Sequence, residues 1–208
     1  YANLMYNTHF DGSLSEIEAI NIPNRNSGYS VRGNVSKRFD VIATTVNLAG
    51  GYMQSWSDLL RESVIMPSQY SLITAELGFN TRITKAVRVD YKAMYNRSMS
   101  TIANDTSPAI NLLKQSADID FIIAQKVICR IGAEHFLNSA IEGGSRNTIF
   151  VDASIRFKHK RMEYSVEARN ILNNSMFMNA ANSNSMDYVY SYSLRPASVI
   201  FKVKFSFR

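Results

Sequence analysis

The side chains able to do acid–base, nucleophilic or metal chemistry are few and far apart. The histidines are His9, His135 and His159, and the one cysteine is Cys129. None has a second ligand at the spacing that holds a metal on a helix or a tight turn. Cys129 alternates with Val127 and Ile131, which reads as a small residue on an apolar strand face. A hydrolase needs a nucleophile, a base and an orienting acid on neighbouring strands. The nearest approach is His135 with Ser116 or Ser139, and neither serine sits in a nucleophile motif. There is no glycine-rich phosphate loop. The sequence carries no expectation of catalysis, of a metal or of a cofactor.

Charge chemistry is better represented. Glu76, Arg88, Asp90, Lys92, Lys114, Asp118, Asp120, Arg130, Glu134, Asp152, Arg156, Glu163, Glu167 and Arg169 alternate with apolar neighbours along extended stretches. Successive side chains of a strand point to opposite faces. These charges are therefore expected to share one wet face, where opposite signs on adjacent strands can pair. Their first expected role is structural, and their second is guidance of a solute. Two other groups are candidate ligand contacts, because loops on a rigid scaffold commonly carry function. Trp56, Met66 and Tyr70 lie in or beside a mixed segment at 55–68, and Met176, Phe177 and Met178 lie in a Met- and Asn-rich segment at 173–187.

The chain has 208 residues, 46% of them apolar and 19% charged, which is not the composition of a disordered segment. The net charge is +6, but the basic residues are spread singly or sit in short turns, without the stripe that nucleic acid requires. No apolar run approaches the length of a transmembrane helix.

Period-two alternation recurs instead, and about eleven strands are expected. The last stretch shows it best: Val199, Phe201, Val203, Phe205 and Phe207 oppose Lys202, Lys204, Ser206 and Arg208. Connections alternate short and long, the short ones near Asp11, Arg38, Arg82, Gln125 and His159, the long ones at 21–27, 55–68, 97–110, 138–147 and 173–187. Outer-membrane barrels have this alternation, with short periplasmic turns and longer outer loops. About ten residues per strand, tilted about 40°, cover about 25 Å of membrane. The expectation is an all-β, antiparallel up-and-down transmembrane β-barrel, with lipid against the apolar face and the charges toward the lumen. Residues 1–208 form a single partial barrel domain in this reading. Bacterial single-chain barrels have even strand numbers, so eleven strands suggest half of a 22-stranded barrel. A smaller passive pore or secretion translocator and a soluble β-sandwich are the alternatives.

The segment Val166-Glu-Ala-Arg-Asn-Ile-Leu-Asn173, followed by a loop and by Leu194-Arg-Pro-Ala-Ser-Val-Ile-Phe-Lys-Val-Lys-Phe-Ser-Phe207, resembles the C-terminal end of TonB-dependent outer-membrane receptors, Bacteroidetes-type members in particular. The resemblance covers about residues 147–208, and Arg208 departs from the family's terminal aromatic residue. It implies a plug domain filling the barrel, contact with TonB of the inner-membrane energising complex, and proton-gradient-driven uptake of a siderophore, cobalamin, glycan or peptide. It also implies a bacterial outer-membrane location, in some members with a surface substrate-binding lipoprotein. In that frame Phe201, Val203, Phe205 and Phe207 form the strand that the insertion machinery reads. Neither the plug nor the TonB-contacting motif lies within these residues.

Overall fold

The predicted alternations become extended strands in the computed structural model, which describes residues 4–11, 14–124, 126–182 and 187–206. In chain order the strands are β1 (Leu4–Asp11), β2 (Leu14–Asn21), β3 (Asn26–Phe39), β4 (Thr44–Arg61), β5 (Val64–Arg82), β6 (Val87–Ile102), the two-residue β7 (Asp105–Thr106) and β8 (Ile110–Ile123). There follow β9 (Val127–Asn138), β10 (Asn147–His159), β11 (Met162–Arg169), β12 (Met176–Asn182), β13 (Asp187–Ser193) and β14 (Ser198–Phe205). No helix among the described residues is long and apolar enough to cross a membrane.

Nine strands make one antiparallel wall in the order β3-β4-β5-β6-β8-β9-β10-β11-β14. Among the described residues no pairing joins β3 to β14, so the sheet is open at both. An odd number of alternating strands leaves these two edges running in the same direction. The predicted eleven-strand series is corrected at its start. β1 and β2 form a hairpin of their own, and β1 touches the wall in parallel at Asn7↔Leu60 and Thr8↔Arg61. The reason is a mismatch of lengths. β3 covers β4 only from Thr44 to Ser57, so the last rows of β4 need another partner for their backbone groups. β1 takes that place, and the buried Asn7 carboxamide accepts a hydrogen bond from the Ser63 amide at 3.2 Å.

Turn chemistry accounts for a second difference. The segment at 55–68 is not a long loop: β4 and β5 stay paired to Arg61↔Val64 and turn on Glu62 and Ser63 alone. Both residues have positive φ, 48° and 64°, as a tight type I′ hairpin turn requires. Glu-Ser is not the Asn-Gly pair that signals such a turn in a sequence. Likewise β6 continues to Ile102 and doubles back into β7 through Ala103 and Asn104. The segment at 173–187 holds a further hairpin, β12–β13, which forms a separate two-stranded sheet. Tyr188 belongs to β13.

Buried apolar side chains are few among the described residues. Met5, Leu60, Ile110, Ile141 and Ala180 all lie toward the end of the sheet that carries the long connections. The rest of the wall has no core beneath it. One face holds Val31, Leu48, Ile73, Leu77, Ile131, Ile155, Val166 and Phe201, each between 38% and 67% exposed.

Candidate functional site on the polar face

The strand register places the charged residues together. Asn80↔Asp90, Asp90↔Asp118 and Asp118↔Gly132 form one row across β5, β6, β8 and β9. Gly132↔Asp152 carries it on to β10. The next row runs Gly78↔Lys92, Lys92↔Ser116, Ser116↔Glu134 and Glu134↔Phe150. Toward the short turns, Arg88↔Asp120 and Asp120↔Arg130 lead to Ser154 and then to Glu167. Glu76, Lys114, Arg156, Glu163 and Arg169 occupy the same face by the period of two, as do Lys202 and Lys204 opposite Ser165 and Glu163.

Most of these charges are spent on one another. Lys92 meets Glu76 at 2.9 Å and Arg88 meets Asp90 at 2.9 Å. Glu167 lies between Lys202 at 2.6 Å and Arg169 at 2.8 Å. Arg156 and Glu163 stand 3.7 Å apart. Asp120 and Arg130 make a two-point pair, in which Nε and Nη2 donate to the two carboxylate oxygens at 2.6 and 2.8 Å. That planar fork is what guanidinium does best. Asp152 accepts the Asn170 backbone amide at 2.8 Å. Asp118 lies flat across Gly132, where an added Cβ would come within 2.7 Å of Oδ1. Glycine there lets the carboxylate reach over the neighbouring strand. A cleft of about 510 Å³ opens on this part of the face, lined by Asp118, Arg130, Glu134, Asp152, Glu167 and Arg169 among others. Charges of both signs sit around it, four carboxylates against the three guanidinium groups of Arg130, Arg169 and Arg195.

The loop candidates separate. Trp56 lies on the apolar face, packed with Tyr29 at 5.9 Å, and Tyr29 packs with Tyr52 at 5.8 Å. Met66 and Tyr70 lie on the opposite, polar face of β5. Trp56 is thus no partner of Met66 and Tyr70 in a shared contact surface: the continuation of β4 as a strand turns its ring outward. Tyr91 and Tyr95 on the apolar face donate their hydroxyl protons to Gln115 at 2.8 Å and Asn111 at 2.7 Å. Nearer the short turns are Phe79 stacked on Tyr91, Phe157 on Tyr164, and the Lys37 ammonium 5.2 Å from the Phe39 ring. Tyr164 pairs with Phe157 beside the Lys160 turn. Phe201, Val203 and Phe205 lie on the apolar face opposite Val166, Tyr164 and Met162, while Phe207 lies outside the described residues.

Met176, Phe177 and Met178 are in β12, not in a loop. The hairpin β12–β13 stands against the polar face. Phe177 sits edge-on to Phe136 at 5.1 Å and to Phe150 at 5.9 Å. Asn138 donates to Asn179 Oδ1 at 2.9 Å and to the Ala180 carbonyl at 2.8 Å, and the Ser98 hydroxyl donates to Asn182. Phe136, Phe150, Asn138 and Ser98 were not expected at this site. The available signal was a pair of large apolar residues, Phe136 and Phe150, in a register otherwise polar, together with the alternation Tyr188, Tyr190, Tyr192.

No group of three metal-binding side chains occurs among the described residues. His135 hydrogen-bonds Asn147 and Gln115, on the face opposite Ser116. The chain matches no family model, no curated protein and no solved structure.

Proposed function

We propose that the nine-strand sheet is part of the wall of an outer-membrane β-barrel that actively imports a nutrient, with its apolar face toward lipid and its ion-paired face toward the lumen. The observation that carries this reading is the apolar face: it spans every strand of the wall and no protein packs on it among the described residues. Soluble monomers rarely expose a continuous apolar patch of more than a few hundred Å². A sandwich would lay a second sheet there, and the second sheet present, β12–β13, stands at the opposite face. Tyr29, Tyr52, Trp56 and Tyr95 toward one end, with Phe79, Phe157 and Phe205 toward the other, fit the interfacial aromatic girdles of such barrels.

Backbone groups at an open sheet edge cannot be left bare in lipid. β3 and β14 run in the same direction, so antiparallel closure takes an odd number of further strands. An even-numbered barrel of the 22-stranded size meets that demand. The resemblance of residues 147–208 to TonB-dependent receptors supports the energised class, with a plug against the charged face, TonB as the periplasmic partner, and a surface lipoprotein as an additional one.

In cells that make it, the polypeptide containing this chain is expected in the outer-membrane fraction and to resist alkaline extraction. Uptake lost on disrupting its gene is expected to be abolished by a protonophore. A passive pore would go on conducting after protonophore treatment, and recovery in the soluble fraction would refute the wall itself.

A further inference from the structure

A second cavity, of about 230 Å³, lies between the β12–β13 hairpin and the polar-face ends of β6, β8 and β9. Its described lining comes from this chain's own elements. Its walls are of two kinds. Leu112, Phe136, Phe177 and Met178 give an apolar floor, and Lys114 and Arg146 supply cations at its edge. No acidic side chain lines it among the described residues. The ammonium of Lys114 lies 4.8 Å from the Phe136 ring centroid and 3.6 Å from Glu134. That is well beyond the roughly 2.8 Å of a committed charge-assisted hydrogen bond, so its donors are left largely unspent. Arg146 has no ion pair among the described residues. The hairpin is held over the cavity by the two hydrogen bonds from Asn138 and by the Phe136–Phe177–Phe150 cluster.

We propose that this cavity binds a small organic carboxylate, its anion on Lys114 and Arg146 and its ring or short alkyl body against Phe136, Phe177, Met178 and Leu112. A water-sized group takes about 30 Å³, so the space holds about eight such groups, the size class of a short-chain or single-ring acid. The described lining itself holds two cations and no carboxylate, which disfavours a cation, and its apolar side chains disfavour a fully hydrated inorganic anion.

Phenylacetate is the probe, titrated calorimetrically into the intact polypeptide in a non-ionic detergent, with phenylacetamide as its neutral match. Phenylacetate is expected to bind with a Kd below about 1 mM, at least tenfold more tightly than the amide. The double variant Lys114→Gln, Arg146→Gln is expected to lose that tenfold preference, Lys114→Arg to keep it, and Phe177→Ala to weaken both ligands. If the variants do not fold, the acid–amide comparison on the unaltered chain decides. Equal affinity for acid and amide, or no heat from either at about 10 mM, overturns the proposal. An unchanged preference in the folded double variant does so too.

Discussion

Replacing Ile131 by arginine is expected to cost about 2–4 kcal/mol of stability in a lipid bilayer. Ile131 lies midway along β9 on the apolar face, between Ile119 of β8 and Ala153 of β10, and is 50% exposed. With lipid there, a guanidinium at mid-depth must be desolvated or must drag water and headgroups toward it. The control is Ser154→Arg on the other face. Ser154 is registered against Arg130 and Glu167, where a new cation meets water and a carboxylate already shared by Lys202 and Arg169. Its effect is expected to stay within about 0.5 kcal/mol. Denaturant unfolding of the intact polypeptide in vesicles measures both. Equal costs would mean that the two faces meet the same solvent.

The second large effect is expected at Asn170, where a motif becomes a physical device. Asn170, the residue after β11, is in the left-handed conformation, with φ of 51°. Its carboxamide donates to the carbonyls of Asn174 and Arg195, both at 2.8 Å, and accepts the Asn174 amide at 3.0 Å. Asn173, also left-handed, accepts the Ala197 amide at 2.9 Å, and Asn174 donates to the Ile149 carbonyl at 2.6 Å. Asn170-Ile-Leu-Asn-Asn174 thus ties the end of β11 to β10 and to the segment leading into β14. Asn170→Ala forfeits three hydrogen bonds at about 1 kcal/mol each and puts a Cβ without local compensation in a left-handed site. The expected loss is about 3–4 kcal/mol. Asn170→Gly, which relaxes the backbone but not the hydrogen bonds, should recover about 1 kcal/mol of it. If alanine and asparagine unfold at the same denaturant concentration, the carboxamide does not hold this corner.

The face to which each residue belongs was legible because a period of two leaves no ambiguity once a strand is accepted. Val87, Val89, Tyr91 and Arg88, Asp90, Lys92 separate cleanly, and every predicted wall charge lies on one side. Strand ends were not legible. A sequence reader stops a strand where apolar alternation stops, but β4 and β5 continue through Ser55, Ser57, Ser68 and Gln69, because backbone pairing does not require apolar side chains. The Glu62–Ser63 turn carries no glycine or asparagine to announce its two positive φ angles. The β1–β2 hairpin was misplaced for a different reason: its alternation is that of a wall strand, and only the shortness of β3 against β4 frees the edge that β1 occupies. The hairpin β12–β13 was read as loop because Asn179, Asn182 and Ser191 dilute its pattern, although Asn179 and Asn182 are the residues that fasten it to Asn138 and Ser98.

Cys129 offers the most direct measurement of whether lipid covers the apolar face. It is the one cysteine of these 208 residues, free, and registered between Phe121 and Ile155 on that face. Membranes containing the folded protein are treated with a charged, water-soluble maleimide or with a lipid-soluble one, and modification of Cys129 is read by peptide mass. A lipid-covered face predicts modification by the lipid-soluble reagent alone, with the charged reagent reacting only after denaturation. Rapid modification of the folded protein by the charged reagent would place this face in water and contradict the barrel wall.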